Sequence, residues 1–267
     1  MVVDAYALVF AMLELRFFRS ASFSATNLIA FLTFFSLLGF TFFNTLYFQQ
    51  IRGYSAFETG LLALPATLAI VAVAPLAGRL AGTRGPRLPI ALGTTMAGSA
   101  LLLLLGLRVD TAYSGIWWIF TLFGGGLGLI MAPIAAAAVA GMPQTQSGLA
   151  SAILNTSRQV GGAVGIALLG AVFASRFRAA LPPAVRAHAS VTTGGFQVTD
   201  PPGRRLVGAA FISGLHAGYL VAGSVLLACA LLAVTLLNAL HPQAGPPSAS
   251  TPQAAEVAHR VRATDSS

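Results

Sequence analysis

Charge is the scarcest property of this chain. Only 8% of its 267 residues are charged, against roughly 25% in an ordinary soluble domain. So few charges cannot solvate the surface of a soluble enzyme, and 56% hydrophobic residues exclude a chain kept disordered by polarity. Lysine is absent: all fifteen basic residues are arginine, set against seven acids for a net charge of +8. A basic surplus can signal nucleic acid. Here the arginines stand singly or in pairs between apolar blocks, so no nucleic-acid partner is expected. Cysteine is limited to Cys229, inside a run of leucine and alanine, which excludes an internal disulfide and a cysteine metal cluster. Acid pairs, His-Glu metal spacings and phosphate-binding loops are missing as well. No catalytic residue, metal or cofactor is expected, and the chain does not read as an enzyme.

What the sequence does have is long apolar runs. Crossing about 30 Å of hydrocarbon as helix takes about 17 to 25 residues, and six runs of that kind can be drawn, at about 26–48, 60–80, 88–107, 115–140, 149–173 and 215–240. Each is continuous, whereas a barrel strand would alternate every second residue. The expected fold is therefore an all-α membrane protein with a six-transmembrane-helix bundle at 24–241. Residues 1–23 contain Asp4, Glu14, Arg16 and Arg19 and leave no window long enough to span; a cytoplasmic or interfacial segment is expected there. A polar external loop is expected at 175–206. The Pro, Ala, Ser and Gln composition of 242–267 reads as a disordered cytoplasmic tail. With the N-terminus inside, Arg16, Arg19, Arg79, Arg84 and Arg87 fall on the cytoplasmic side and Arg52 and Arg108 outside, which favours that orientation. The arginines of the 175–206 loop erode the bias.

Within the spans, polar and glycine residues carry the information. Gly124 and Gly128, and likewise Gly161, Gly162 and Gly165, strip a helix of side chains. They read as helix-packing positions, or as a thin helix that bends or rocks. Asn155, Arg158 and Gln159 lie in the first third of the fifth run, where an arginine costs a few kcal/mol unless it reaches an interface or a polar partner. Spacings of three and four place Asn155, Arg158, Gly162 and Gly165 on one face. That face either lines the mouth of a pathway or clamps a neighbouring loop, or Arg158 simply snorkels to headgroups. None of the seven acids sits centrally in a span, so no proton relay is visible.

The stretch 148–165, with Asn155, Arg158, Gln159, Gly161, Gly162 and Gly165, resembles the signature of 14-span drug:proton antiporters of the major facilitator superfamily. Leu46–Gln50, Gly53-Tyr54-Ser55, Leu64-Pro65 and Pro75–Leu80 are similar to the same family in collinear order. Leu13–Arg19 resembles the linker before that family's C-terminal bundle, and Ala210–His216 the entry to its final helix. The resemblance covers about residues 13–240 and implies the C-terminal half of such a transporter. It would be multi-pass in a cell inner membrane, with both termini cytoplasmic. The implied function is efflux of small hydrophobic drugs by proton-coupled alternating access. Partners would be membrane lipid, a small hydrophobic substrate, and either a separately encoded N-terminal half or a second copy forming a homodimer. A truncated, non-transporting remnant or membrane interaction protein is the alternative. Asn155, Arg158, Gln159, Arg79, Arg84 and Arg87 are the transport or gating candidates. Phe35, Asn44 and Tyr47 of the aromatic first run are the substrate-cavity candidates. One departure stands out: the loop between the second and third runs has Gly82 and Thr83 where the family carries aspartate and arginine.

Overall fold

The computed structural model describes residues 20–140, 144–182 and 201–236. The expected segment 1–23 up to residue 19, the centre of the 175–206 loop, the last residues of the 215–240 run and the expected tail 242–267 lie outside the described residues. All regular structure among the described residues is helical: α1 (Ala21–Leu46), α2 (Ala56–Leu62), α3 (Leu64–Arg84), α4 (Arg87–Leu103), α5 (Trp117–Ala140), α6 (Ser147–Ala180) and α7 (Pro201–Leu236), with short 3-10 turns between. Six helical segments among the described residues are long and apolar enough to cross a membrane, α2 and α3 together forming one of 29 residues.

Local chemistry sets the ends. Ser20 caps α1 by accepting from the Phe23 amide at 3.5 Å. At its other end α1 widens into a π-helical turn, Tyr47–Ile51, closed by the Arg52 amide on the Tyr47 carbonyl at 3.1 Å. Gly53 then takes φ 72°, a left-handed angle that a side chain would resist, and turns the chain. Ser55 and Glu58 form a reciprocal capping box, with the Ser55 amide donating to Glu58 Oε2 at 2.8 Å and the Glu58 amide to Ser55 Oγ at 3.2 Å. Pro65 is seated in the first turn of α3, where its missing N–H leaves no bond unmade.

Two boundaries differ from the sequence expectation. α6 has 34 residues, about 51 Å at 1.5 Å per residue, so it outruns the roughly 30 Å hydrocarbon layer. Its final turns carry Arg176 and Arg178, both exposed, which were expected in a loop. α7 begins at Pro201 rather than near 215, because Pro201 and Pro202 suit the first turn of a helix as well as they suit a turn.

The helices pack as a chain of neighbours. α3 lies on α5, α5 on α4, α4 on α7, α7 on α1 and α6, and α1 on α6. Glycine lets the seams close. A Cβ at Gly161 or Gly165 would run into the carbonyl oxygens of Phe31 or Phe35 on α1, and one at Gly162 into Leu38. On the other side, Gly124 abuts Ala66, and a Cβ at Gly128 would sit 2.8 Å from the Ile70 oxygen. Gly93 and Gly126 face each other, each leaving 2.5–2.6 Å to the other's carbonyl.

Candidate functional site

Burial is uneven among the spans. In the most apolar window of each, 56% of residues are buried in α1 and in α5, but only 33% in α6 and 6% in the α2–α3 span. Leu68, Val71 and Leu76 of α3 are each about two-thirds exposed. α3 and α6 thus leave whole faces uncovered, and the polar signature lies on α6.

There, Gly161, Gly162 and Gly165 turn toward α1, whereas Asn155 and Gln159, one helical turn apart, are exposed. Arg158 sits at the boundary, half-buried. Its guanidinium lies 5.4 Å from the centroid of the Phe34 ring on α1, and its Nε is buried without a hydrogen-bond acceptor among the described residues. Next to it, Ser157 Oγ donates to Asn27 Oδ1 at 3.1 Å, and Asn27 Nδ2 donates to the Phe23 carbonyl at 2.9 Å. Asn155, Arg158, Gly162 and Gly165 do lie within an arc of about 80° of the helix, but they are put to different uses: the glycines meet α1, whereas Asn155 is exposed and Arg158 half-buried.

Arg79 and Arg84 are exposed and Arg87 half-buried, at the facing ends of α3 and α4. They stand on a different helix pair from the α6 polar stripe, since α3 packs on α5 and α6 on α1. Glu58 and Asp110, the acids among the described residues, lie at the opposite end of the bundle.

The cavity candidates of α1 are corrected. Phe35, Asn44 and Tyr47 are 6%, 7% and 1% exposed, inside the bundle rather than on an open wall. Asn44 Nδ2 donates to the Phe40 carbonyl at 2.8 Å and Tyr47 Oη to the Arg108 carbonyl at 3.2 Å. Around them Phe40, Phe120, Phe123 and Tyr219 form an aromatic core, with Phe40 and Phe123 centroids 4.2 Å apart. Aromatic residues are spread around α1, so they carried no signal for which face turns inward; the polar residues Asn27, Thr33, Ser36 and Asn44, all buried, mark that face.

Sequence reasoning passed over Gly93, Gly98 and Gly223. Gly98 and Gly223 face each other, a Cβ on either meeting the other's carbonyl at 3.1 Å, and bring α4 against α7. The pairing joins distant spans, so no local spacing announced it. Nor did it single out the run of carbonyls at Leu107, Arg108 and Val109, which accept from His216 Nε2 at 2.9 Å, Tyr47 Oη at 3.2 Å and Arg52 Nη1 at 3.1 Å. Among the described residues, no group of His, Cys, Asp and Glu is placed to hold a metal ion.

Residues 8–166 match the family described as Major Facilitator Superfamily. The multidrug resistance protein Stp of Mycobacterium tuberculosis is 33% identical over 172 residues, 64% of this chain and 32% of that protein. The tetracenomycin C resistance and export protein of Streptomyces glaucescens is 30% identical over 239 residues, 81% of this chain and 44% of that protein. The drug efflux pump JefA of Mycobacterium tuberculosis is 27% identical over 199 residues, 74% of this chain and 37% of that protein. The chain thus spans between a third and a half of the length of these relatives.

Proposed function

The chain belongs to the Major Facilitator Superfamily, and on that premise we propose that it acts as the C-terminal six-span half of a 14-span efflux transporter for small hydrophobic drugs. The observation that carries this reading is the uncovered face of α3 and α6. A membrane helix that displays Asn155, Thr156 and Gln159 outward is costly against lipid and favourable against a polar cavity or a second bundle. Two six-helix bodies meeting on such faces are the parts that alternating access needs. Arg158, braced on Phe34, is then the gating residue of this half. Arg79, Arg84 and Arg87 mark the cytoplasmic gate of an inner-membrane protein with both termini inside. Among the described residues, the acids Glu58 and Asp110 are both at the end of the bundle away from the α6 stripe, and this reading leaves the proton-carrying acid to the companion half.

Drug accumulation in an efflux-deficient strain, under an imposed proton gradient, tests this. The chain alone, the chain with the eight-span N-terminal part of a 14-span relative, and the same pair carrying Arg158→Ala are compared at matched membrane levels. Accumulation should fall only in the pair, and Arg158→Ala should reverse most of that fall. Pumping by the chain alone would establish a homodimeric half-transporter instead. No pumping in any arrangement, with insertion verified, would leave a non-transporting membrane protein.

A further inference from the structure

Between the ends of α3 and α5 nearest the arginines, the bundle opens into a groove of about 400 Å³ walled by Gly78, Gly82, Pro133, Ala136 and Ala140, with Pro86 at its rim. None of its lining residues has a polar side chain. A Cβ at Gly78 or Gly82 would meet nothing within 4 Å, so the space is left by the absence of side chains on α3. Arginines cluster at this end of the bundle: Arg79 follows Gly78, Arg84 lies two residues beyond Gly82 and Arg87 follows Pro86, though none of the three lines the groove itself. Both described carboxylates, Glu58 and Asp110, lie at the far end. An occupant must therefore be apolar where it enters, since the walls offer it no side-chain hydrogen bond, and anionic where it leaves.

The geometry points to a site for an anionic phospholipid, one acyl chain lying in the α3–α5 groove and the phosphate held by Arg79 and Arg84. The groove ends where α3 gives way to α4 at Gly85, the depth at which arginines at span ends meet headgroups. The site needs the α3 side open to lipid, as it is in the chain alone, so the unpaired chain is tested and the outcome does not depend on whether a companion bundle exists.

The full chain is purified in mild detergent from membranes doped with equal amounts of phosphatidylglycerol and phosphatidylcholine, and the retained lipids are counted by native mass spectrometry. Phosphatidylglycerol should be enriched several-fold. The double variant Arg79→Gln/Arg84→Gln should abolish the enrichment, whereas Arg176→Gln/Arg178→Gln, at the other end of the bundle, should keep it. Gly82→Leu, which fills the groove and leaves every charge in place, should also abolish it, with circular dichroism confirming that helix content is intact. Enrichment that survives either Arg79→Gln/Arg84→Gln or Gly82→Leu would overturn the site. So would equal loss in the Arg176→Gln/Arg178→Gln control, which would reduce the effect to net charge.

Discussion

At the end of the bundle that carries Leu107, Arg108 and Val109, three consecutive backbone carbonyls are held by side chains from α7 and from the π-helical turn and its exit. Tyr113 adds a fourth tie by donating to the Leu62 carbonyl at 2.7 Å, and exposed Trp117 and Trp118 stand beside it as interfacial aromatics do. At the other end, the ties are of another kind: Ser157 on Asn27, Arg158 over the Phe34 ring, and Phe23 packed against Ala150 and Ile153. There α3 and α5 diverge around an open groove. The difference teaches where this bundle can deform. Hydrogen bonds to loop backbone fix one end in register, while at the arginine end the contacts run between helices, Ser157 to Asn27 and Arg158 over Phe34.

Substitution can break that contrast or sharpen it. The largest effect is expected from the seam common to both ends. Gly165→Leu must push α6 off the Phe35 carbonyl and should cost about 3 kcal/mol or more, read as a lower melting temperature in detergent. An unchanged melt would mean that α1 and α6 are not in contact, and the contrast would lose its basis. Next comes the tied end. Tyr47→Phe with His216→Ala removes two bonds worth about 1 kcal/mol each. The pair should raise hydrogen exchange across 104–112 while leaving the start of α6 unchanged. Equal loosening at both ends would show that the ties do not act locally. The smallest effect belongs to the arginine end, where Gly82→Leu meets open space and should change stability by no more than about 0.5 kcal/mol. A large loss there would mean that the groove is closed in the working protein.

Much of the all-helical, six-span fold was legible, because continuous apolar runs are set by hydrocarbon thickness and need no tertiary information. The ends were less so. Arg176 and Arg178 read as loop residues, yet the helix continues through them to Ala180, because charge does not stop a helix that leaves the membrane. Pro201 and Pro202 are equally at home in a turn and in a helix's first turn. The polar stripe at Asn155 and Gln159 could be found because polarity is rare in such a span. Spacing put Asn155 about 80° from Gly165 on the helix, but it could not tell how far along that face α1 extends its cover. Phe35, Asn44 and Tyr47 misled for a related reason: aromatic residues line cavities and fill cores alike, and only the neighbours decide which.

The hydrogen bond between Ser157 and Asn27 joins positions 130 residues apart. At about 5–20 residues per second of synthesis, α1 waits roughly 6–26 seconds for the helix that covers it. During that interval Asn27 has its own-helix bond to Phe23, but the grooves at Phe31 and Phe35 into which Gly161 and Gly165 will settle stand open. Until α6 arrives, lipid chains must fill the grooves at Phe31 and Phe35, and the two glycines displace them when the helix docks.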